Sequence, residues 1–335
     1  RCVYETVSGD KLIYYGACVA FISVLTFFMK YGWCRYAYKD YCIQLNTYRG
    51  KFIIKEMVGF TGWNLFAGLA MIGRNQGVAV IINIFLGTIA NAAYGVANQI
   101  NGALGHFSAT FQKAINPQLM KSEGMNDRNR LFRISFISSK FSVLALAFFA
   151  VPFIMEMNEV LTLWLKDDIP PFTLKLAQYI LLLSITYQYS VGIMAAIQAT
   201  GKIRNYQIIM GSLLLMNVPI AYFILKMGYS VYYTTIAFVI LELISLCVRL
   251  FMANKLTGMS VKEYIQNVIQ PTMIIIVIPV IVAMIPHFVM SNSFLKLVIV
   301  CSIYCLLFAV LMFRFAFDEG QREHIKSKIQ HLLKR

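Results

Sequence analysis

Arg74 raises the first chemical question in this sequence, because it lies near the middle of a long apolar stretch, 58–86. If that stretch crosses a bilayer, a guanidinium at such depth is costly unless it faces water, an acidic partner or an anionic ligand. Its planar fork of donors suits bidentate phosphate binding, which makes a pyrophosphate head group a natural ligand. An ion pair or a snorkelling side chain is the plainer alternative. Asn64, Asn75, Gln76 and Asn83 form an arc on the same stretch. On 92–118, at about 100° per residue, Asn98, Gln99, Asn101, His106, Gln112 and Asn116 share one half with Gly95, Gly102 and Gly105. Val96, Ile100, Phe107 and Phe111 take the other half. Such a helix is expected to turn its apolar half to lipid and its carboxamide half to a hydrated cavity or a closely packed helix.

Gln188 and Gln198 lie on 173–199, and Asn217 and Pro219 on 206–225, where the proline should kink the chain. Glu242 is the one carboxylate well inside an apolar stretch, 230–253. It could titrate in a proton- or sodium-coupled cycle, or pair structurally with Arg249 two turns on. No catalytic constellation is present: there is no Ser/His/Asp set in motif context, no glycine-rich phosphate loop and no HExxH. His106, His287, His324 and His331 stand apart in sequence, and of these His106 alone falls on the polar stripe. The chain therefore reads as a transporter and not an enzyme, with no cofactor and no metal.

The elements that must position these side chains are apolar helices. Of the 335 residues, 59% are hydrophobic and 13% charged, and mean hydropathy is +0.66, beyond the range of a water-soluble domain of this length. Stretches able to cross a hydrocarbon core of roughly 30 Å occur at 12–31, 58–86, 92–118, 134–155, 173–199, 206–225, 230–253, 272–290 and 295–317. An all-α polytopic membrane bundle of about nine transmembrane helices is expected. The formal charge of +15 argues against nucleic acid as a partner, since the cations sit in short loops and form no single patch.

Connections rich in Lys and Arg alternate with short or acidic ones. The basic set comprises 30–55, the loop near Lys121 to Arg133, Lys202 with Arg204, Arg249 to Lys262, and the tail; the other set comprises 87–91, 156–172, 226–230 and 287–293. By the positive-inside rule the first set is cytoplasmic, and so is the C-terminus. Segments 158–172 and 256–270 are long enough for short interfacial helices, and 319–335 is either a basic amphipathic stretch on lipid heads or a frayed tail. The seven cysteines lack metal-ligand spacing and are expected to be buried packing residues. The chain starts at Arg1 without a signal-peptide pattern and is expected to lack the beginning of a longer protein.

The stretch Asn75 to Gly124 (NQGVAVIINIFLGTIANAAYGVANQINGALGHFSATFQKAINPQLMKSEG), followed in order by LWLKDDIPPFT, QATGKI and VPIAYFILKMGY, resembles the polysaccharide-biosynthesis flippases of the multidrug/oligosaccharidyl-lipid/polysaccharide exporter superfamily, in particular a Bacteroides-like branch. The resemblance implies two six-helix lobes around a central cavity, often followed by two extra helices, working by alternating access. On that plan 1–55 holds the last helix of the first lobe and a cytoplasmic interlobe loop, 56–255 the second lobe, and 256–335 the extra pair with a basic tail.

The implied cargo is an oligosaccharide on undecaprenyl pyrophosphate, flipped across the bacterial inner membrane for surface polysaccharide assembly. Membrane lipids and other polysaccharide-assembly membrane proteins are the implied partners. Arg74, Asn64, Asn75, Asn83, Asn98, Asn101, His106, Gln112 and Gln188 are the expected cavity-lining residues, with Glu242 for ion coupling. A multidrug or cation antiporter of the related branch and a membrane-embedded glycosyltransferase or polymerase are the alternatives.

Overall fold

The structure is a computed structural model and describes residues 11–37, 51–166, 168–291, 293–317 and 322–323. Cys2, Cys42, His324, His331 and nearly all of the tail 319–335 lie outside the described residues. The chain divides into two compact units, Arg1–Glu56 and Met57–Arg335. Every regular element among the described residues is helical. The first unit holds α1 (Lys11–Ala37), an apolar helix on which Phe27 stacks over Tyr31 one turn away.

The second unit begins within α2 (Lys51–Gly124) and continues through α3 (Arg128–Met155), α4 (Met157–Leu165), α5 (Thr173–Gln188), α6 (Val191–Ala199), α7 (Arg204–Leu215), α8 (Asn217–Lys226), α9 (Val231–Thr257), α10 (Val261–Tyr264), a π turn (Ile265–Ile269), α11 (Gln270–Val289) and α12 (Phe294–Phe315). Among the described residues seven helices are long and apolar enough to cross a membrane, and eight if the bent pair α5/α6 is one span. The all-α membrane bundle is thus present, and the count falls short of the expected nine at two places, the long α2 and the bent pair α5/α6. Ile54–Gly124 is a single candidate of 71 residues, a length of about 100 Å at the helical rise. It breaks at Gly87, whose backbone (φ 78°, ψ −177°) leaves the helical region for one open essentially to glycine. A single residue makes the interruption for which the sequence suggests a loop over 87–91.

Proline explains two further irregularities. Pro219 clashes with the carbonyl of Leu215 and cannot donate to it, and the helix accordingly divides at Met216 into α7 and α8. Asn217 turns its amide back onto the carbonyl of Leu214 at 2.8 Å, covering an acceptor near the bend. Pro271 likewise cannot bond the carbonyl of Asn267, and the ladder ahead of it widens into the π turn. The segment Val261–Val289 therefore runs as one candidate span, where a separate interfacial helix is one expectation for 256–270. The other expected interfacial segment, 158–172, does form a short helix, α4.

Small residues let the helices approach. Gly73 and Gly77 of α2 meet Leu215 and Val218, and Gly211 of α7 meets the ring of Phe66. The tightest approach is at Gly192 of α6, where a Cβ would lie 2.0 Å from the carbonyl oxygen of Ser135 on α3. At the end of α3 the fully buried Glu156 reaches the α11–α12 hairpin, with Oε1 2.7 Å from His287 Nδ1 and Oε2 3.5 Å from Lys296 Nζ. The cysteines depart from expectation: Cys18, Cys34 and Cys247 are exposed and Cys301 and Cys305 half-buried. A thiol is a small apolar group, and a side chain exposed on an apolar helix of this kind meets lipid, where a thiol is no worse placed than in a core.

Gly192→Ala is expected to lower the thermal unfolding midpoint of the detergent-solubilised protein, by overpacking worth about 1–3 kcal/mol. Gly102→Ala is the matched control, since nothing lies within 4 Å of a Cβ at that position. It should leave the midpoint unchanged or slightly raised. Equal midpoints for the two variants would show that the α3–α6 approach is looser than described.

Candidate functional site

A cavity of about 480 Å³ opens between α2, α5, α6, α7 and α9. It exists because the span 173–199 is not one straight helix. α5 ends at Gln188, the chain bends by 40°, and α6 starts at Val191. Broken helix at bilayer depth is tolerated only where its freed backbone groups find partners, and partners arrive from several directions. The carbonyl of Tyr189 accepts from the hydroxyl of Tyr264. The amide of Gly192 donates to Ser139 Oγ at 3.0 Å. Beside these backbone partners, the side chain of Ser190 is also held: its Oγ accepts from Arg249 Nη1 at 2.8 Å. Residues on both sides of the break, Tyr187 and Gln188 before it and Met194 and Gln198 after it, line the cavity.

The opposite wall is α2. Of the residues singled out in the sequence, Asn64, Arg74, Asn98 and Asn101 line the cavity from this side. Several carboxamides lock α2 to the bundle: Gln207 Nε2 donates to Asn64 Oδ1 at 3.1 Å, and Ser184 Oγ to Asn101 Oδ1 at 2.5 Å. Asn98 donates to the carbonyl of Tyr94 on its own helix at 2.9 Å. Arg74 is half-buried, and its Nε and Nη2 both rest on Asn75 Oδ1, at 3.0 and 2.9 Å. Asn75 is thus not itself a lining residue but aims the guanidinium that is. Gln112 has a similar relation to the lining residue Gln188, donating to its Oε1 at 2.9 Å.

Asn83 and His106 fall elsewhere: both are exposed and neither lines the cavity. The second half of α2 is also turned from the expected orientation. Ala93, Ala97, Ile100 and Leu104 are buried in the core, so much of the apolar half packs against helices and not lipid. Of the polar half, Asn98, Asn101, Gly102 and Gly105 line the cavity, the two glycines with free space above them.

Glu242 and Arg249 form a buried ion pair on α9, with both side chains facing the cavity wall. The Arg249 guanidinium lies 5.7 Å from the ring centroid of Tyr187. Its Nε has no hydrogen-bond partner among the described residues. Glu242 is therefore held by a cation. The charged lining residues are Arg74, Glu242 and Arg249, which leaves one net positive charge in the cavity. The tyrosines Tyr94, Tyr187 and Tyr206 and the amide of Gln207 complete a lining that sequence reasoning did not single out. A tyrosine in an apolar stretch reads equally as an interface anchor or core residue, and Gln207 lies close to a basic loop.

Chemically, the wall offers carboxamides that both donate and accept, aromatic faces, and a guanidinium whose partner is neutral. That set suits a hydroxyl-rich anionic ligand. Comparison with protein-family models, with curated proteins and with solved structures gave no match.

Glu242→Gln should strand the Arg249 charge in the core and lower stability by about 3–5 kcal/mol. The double change Glu242→Gln with Arg249→Met should recover a large part of that loss in the same thermal unfolding assay. A single variant as stable as the parent would mean that Arg249 has another anionic partner.

Proposed function

We propose that this chain is the second lobe, with an extra C-terminal helix pair, of a flippase that carries undecaprenyl-pyrophosphate-linked oligosaccharide across the bacterial inner membrane. The observation that carries the proposal is the company Arg74 keeps. It shares a cavity with Asn64, Asn98, Asn101 and Gln188 beside a broken helix, and the cavity bears one net positive charge. Discontinuous helices around a site near the midplane are the usual construction of a transporter that works by alternating access. Carboxamides serve sugar hydroxyls, and an exposed edge of a guanidinium serves a phosphate.

Counting the interruption at Gly87 as a passage between two crossings, and α5 with α6 as one, gives the nine spans that the alternating basic and acidic connections require. In that topology the C-terminus is cytoplasmic and the loop bearing α4 is periplasmic. A cation or drug antiporter would use a carboxylate open to its cargo. Here the lining carboxylate is Glu242, already paired with Arg249, which favours anionic cargo.

Two substitutions test the proposal in the host that bears the full-length gene. Arg74→Ala should insert normally yet reduce surface polysaccharide and accumulate the lipid-linked intermediate inside. Gly102→Phe, at a lining position where a Cβ has nothing within 4 Å, should have the same effect by projecting a ring into the passage. Normal polysaccharide in both variants, at parental protein levels, would remove this cavity from the transport path.

A further inference from the structure

The break between α5 and α6 is gripped by a part of the chain that gives no residue to the cavity. Tyr264, at the end of α10, is fully buried and donates its hydroxyl to the Tyr189 carbonyl. Thr272, on α11, is also fully buried, with Oγ1 2.9 Å from the Tyr189 hydroxyl. The Thr272 proton already goes to the carbonyl of Val268 at 2.7 Å. Tyr189 is therefore the donor in the contact between the two hydroxyls, and the residue is held at backbone and side chain by the same segment. Its neighbours on either side reach the cavity: Tyr187 and Gln188 line it, and Ser190 takes a hydrogen bond from the lining residue Arg249.

Between the two gripping residues lies the π turn Ile265–Ile269. A π turn holds one residue more than the α register allows, so it sets the angle about the helix axis at which Thr272 stands relative to Tyr264. Without the extra residue Thr272 would point about 100° away from its present direction. Both hydroxyls could not then reach Tyr189 at once, so the turn is what lets one segment grip both the backbone and the side chain of that residue.

We propose that Tyr264 and Thr272 are positioning residues through which the segment packed outside the cavity sets the shape of its wall, with the π turn holding the two hydroxyls in register. This assigns a positioning role to helices that line no part of the cavity. It rests on the cavity being the cargo path proposed above, but its test reads the cavity and not transport.

In the full chain with native cysteines replaced, a single cysteine at the lining position, Gln198→Cys, is labelled with a water-soluble maleimide well below the unfolding midpoint. Met227→Cys, 72% exposed at the end of α8, is the control. Tyr264→Phe and Thr272→Val keep the shape of each side chain and remove its hydroxyl. Each should speed labelling at Gln198→Cys, Tyr264→Phe by about threefold or more, with no change at Met227→Cys. The double variant should go no further than the larger single one, because both act on Tyr189. A lower unfolding midpoint with unchanged labelling at Gln198→Cys would reduce the pair to a structural role and overturn the proposal. If Tyr264→Phe does not fold, unchanged labelling in Thr272→Val does the same. Neither result depends on whether Arg74→Ala blocks export, so the two proposals fail separately.

Discussion

A membrane helix cannot be broken without finding new partners for the backbone groups it frees, and each group left bare costs several kcal/mol in a medium without water. That constraint fixes the neighbourhood of Tyr189 to Gly192. Ser139 must stand opposite the Gly192 amide. Residue 192 must lack a side chain, since the α3 carbonyl that brings Ser139 close occupies the space of a Cβ. Tyr264 must reach the Tyr189 carbonyl from another span. Beside the break Arg249 reaches the side chain of Ser190, and its buried guanidinium demands a carboxylate, which Glu242 supplies from two turns away on α9. Polar residues that look unrelated along the chain thus gather around one interruption.

The cavity follows from the same interruption. A straight helix over 173–199 would present one continuous ridge to α2, whereas the 40° bend lets residues on both sides of it face a common space. The facing helix then cannot close on that space with bulky side chains. Its small residues, Gly102 and Gly105, stand there with nothing against them. Carboxamide pairs such as Asn64 with Gln207 and Gln112 with Gln188 join α2 to its neighbours beside that space. Such pairs exchange readily for hydrogen bonds to a hydroxyl-rich ligand, because both halves donate and accept.

How much of this could be read from the sequence depended on whether a signal was local. Apolar stretches are local, and nearly every helix long enough to cross a membrane coincides with one. A carboxamide within such a stretch is conspicuous wherever it points, which is why Asn64, Asn98, Asn101 and Gln188 were identifiable as cavity residues. Which way a helix faces is not local. Asn83 and His106 share the composition of their helices but not the orientation, and the alanines of α2 draw its apolar half into the core. Nor does the α5–α6 break have a proline to announce it. The groups that accommodate it, the Ser135 carbonyl beside Gly192 and the Ser139 hydroxyl, are neighbours in space that lie far off along the chain.

The two arginines of the cavity show why burial alone does not identify a binding group. Arg249 is almost wholly buried and is committed to Glu242 and Ser190. Its charge is neutralised at short range in a low-dielectric setting, so an incoming anion would have to displace a carboxylate at close quarters to reach it. Arg74 is half-buried and leans on a neutral carboxamide, which orients it and leaves its charge intact. The field that an anion entering the cavity first meets is therefore that of Arg74. Arg74 stands out in the sequence through its depth in an apolar stretch, whereas Arg249 falls near the end of one and reads with the basic connection that follows. What separates them as binding groups is the partner each has found, a carboxylate for Arg249 and a neutral carboxamide for Arg74.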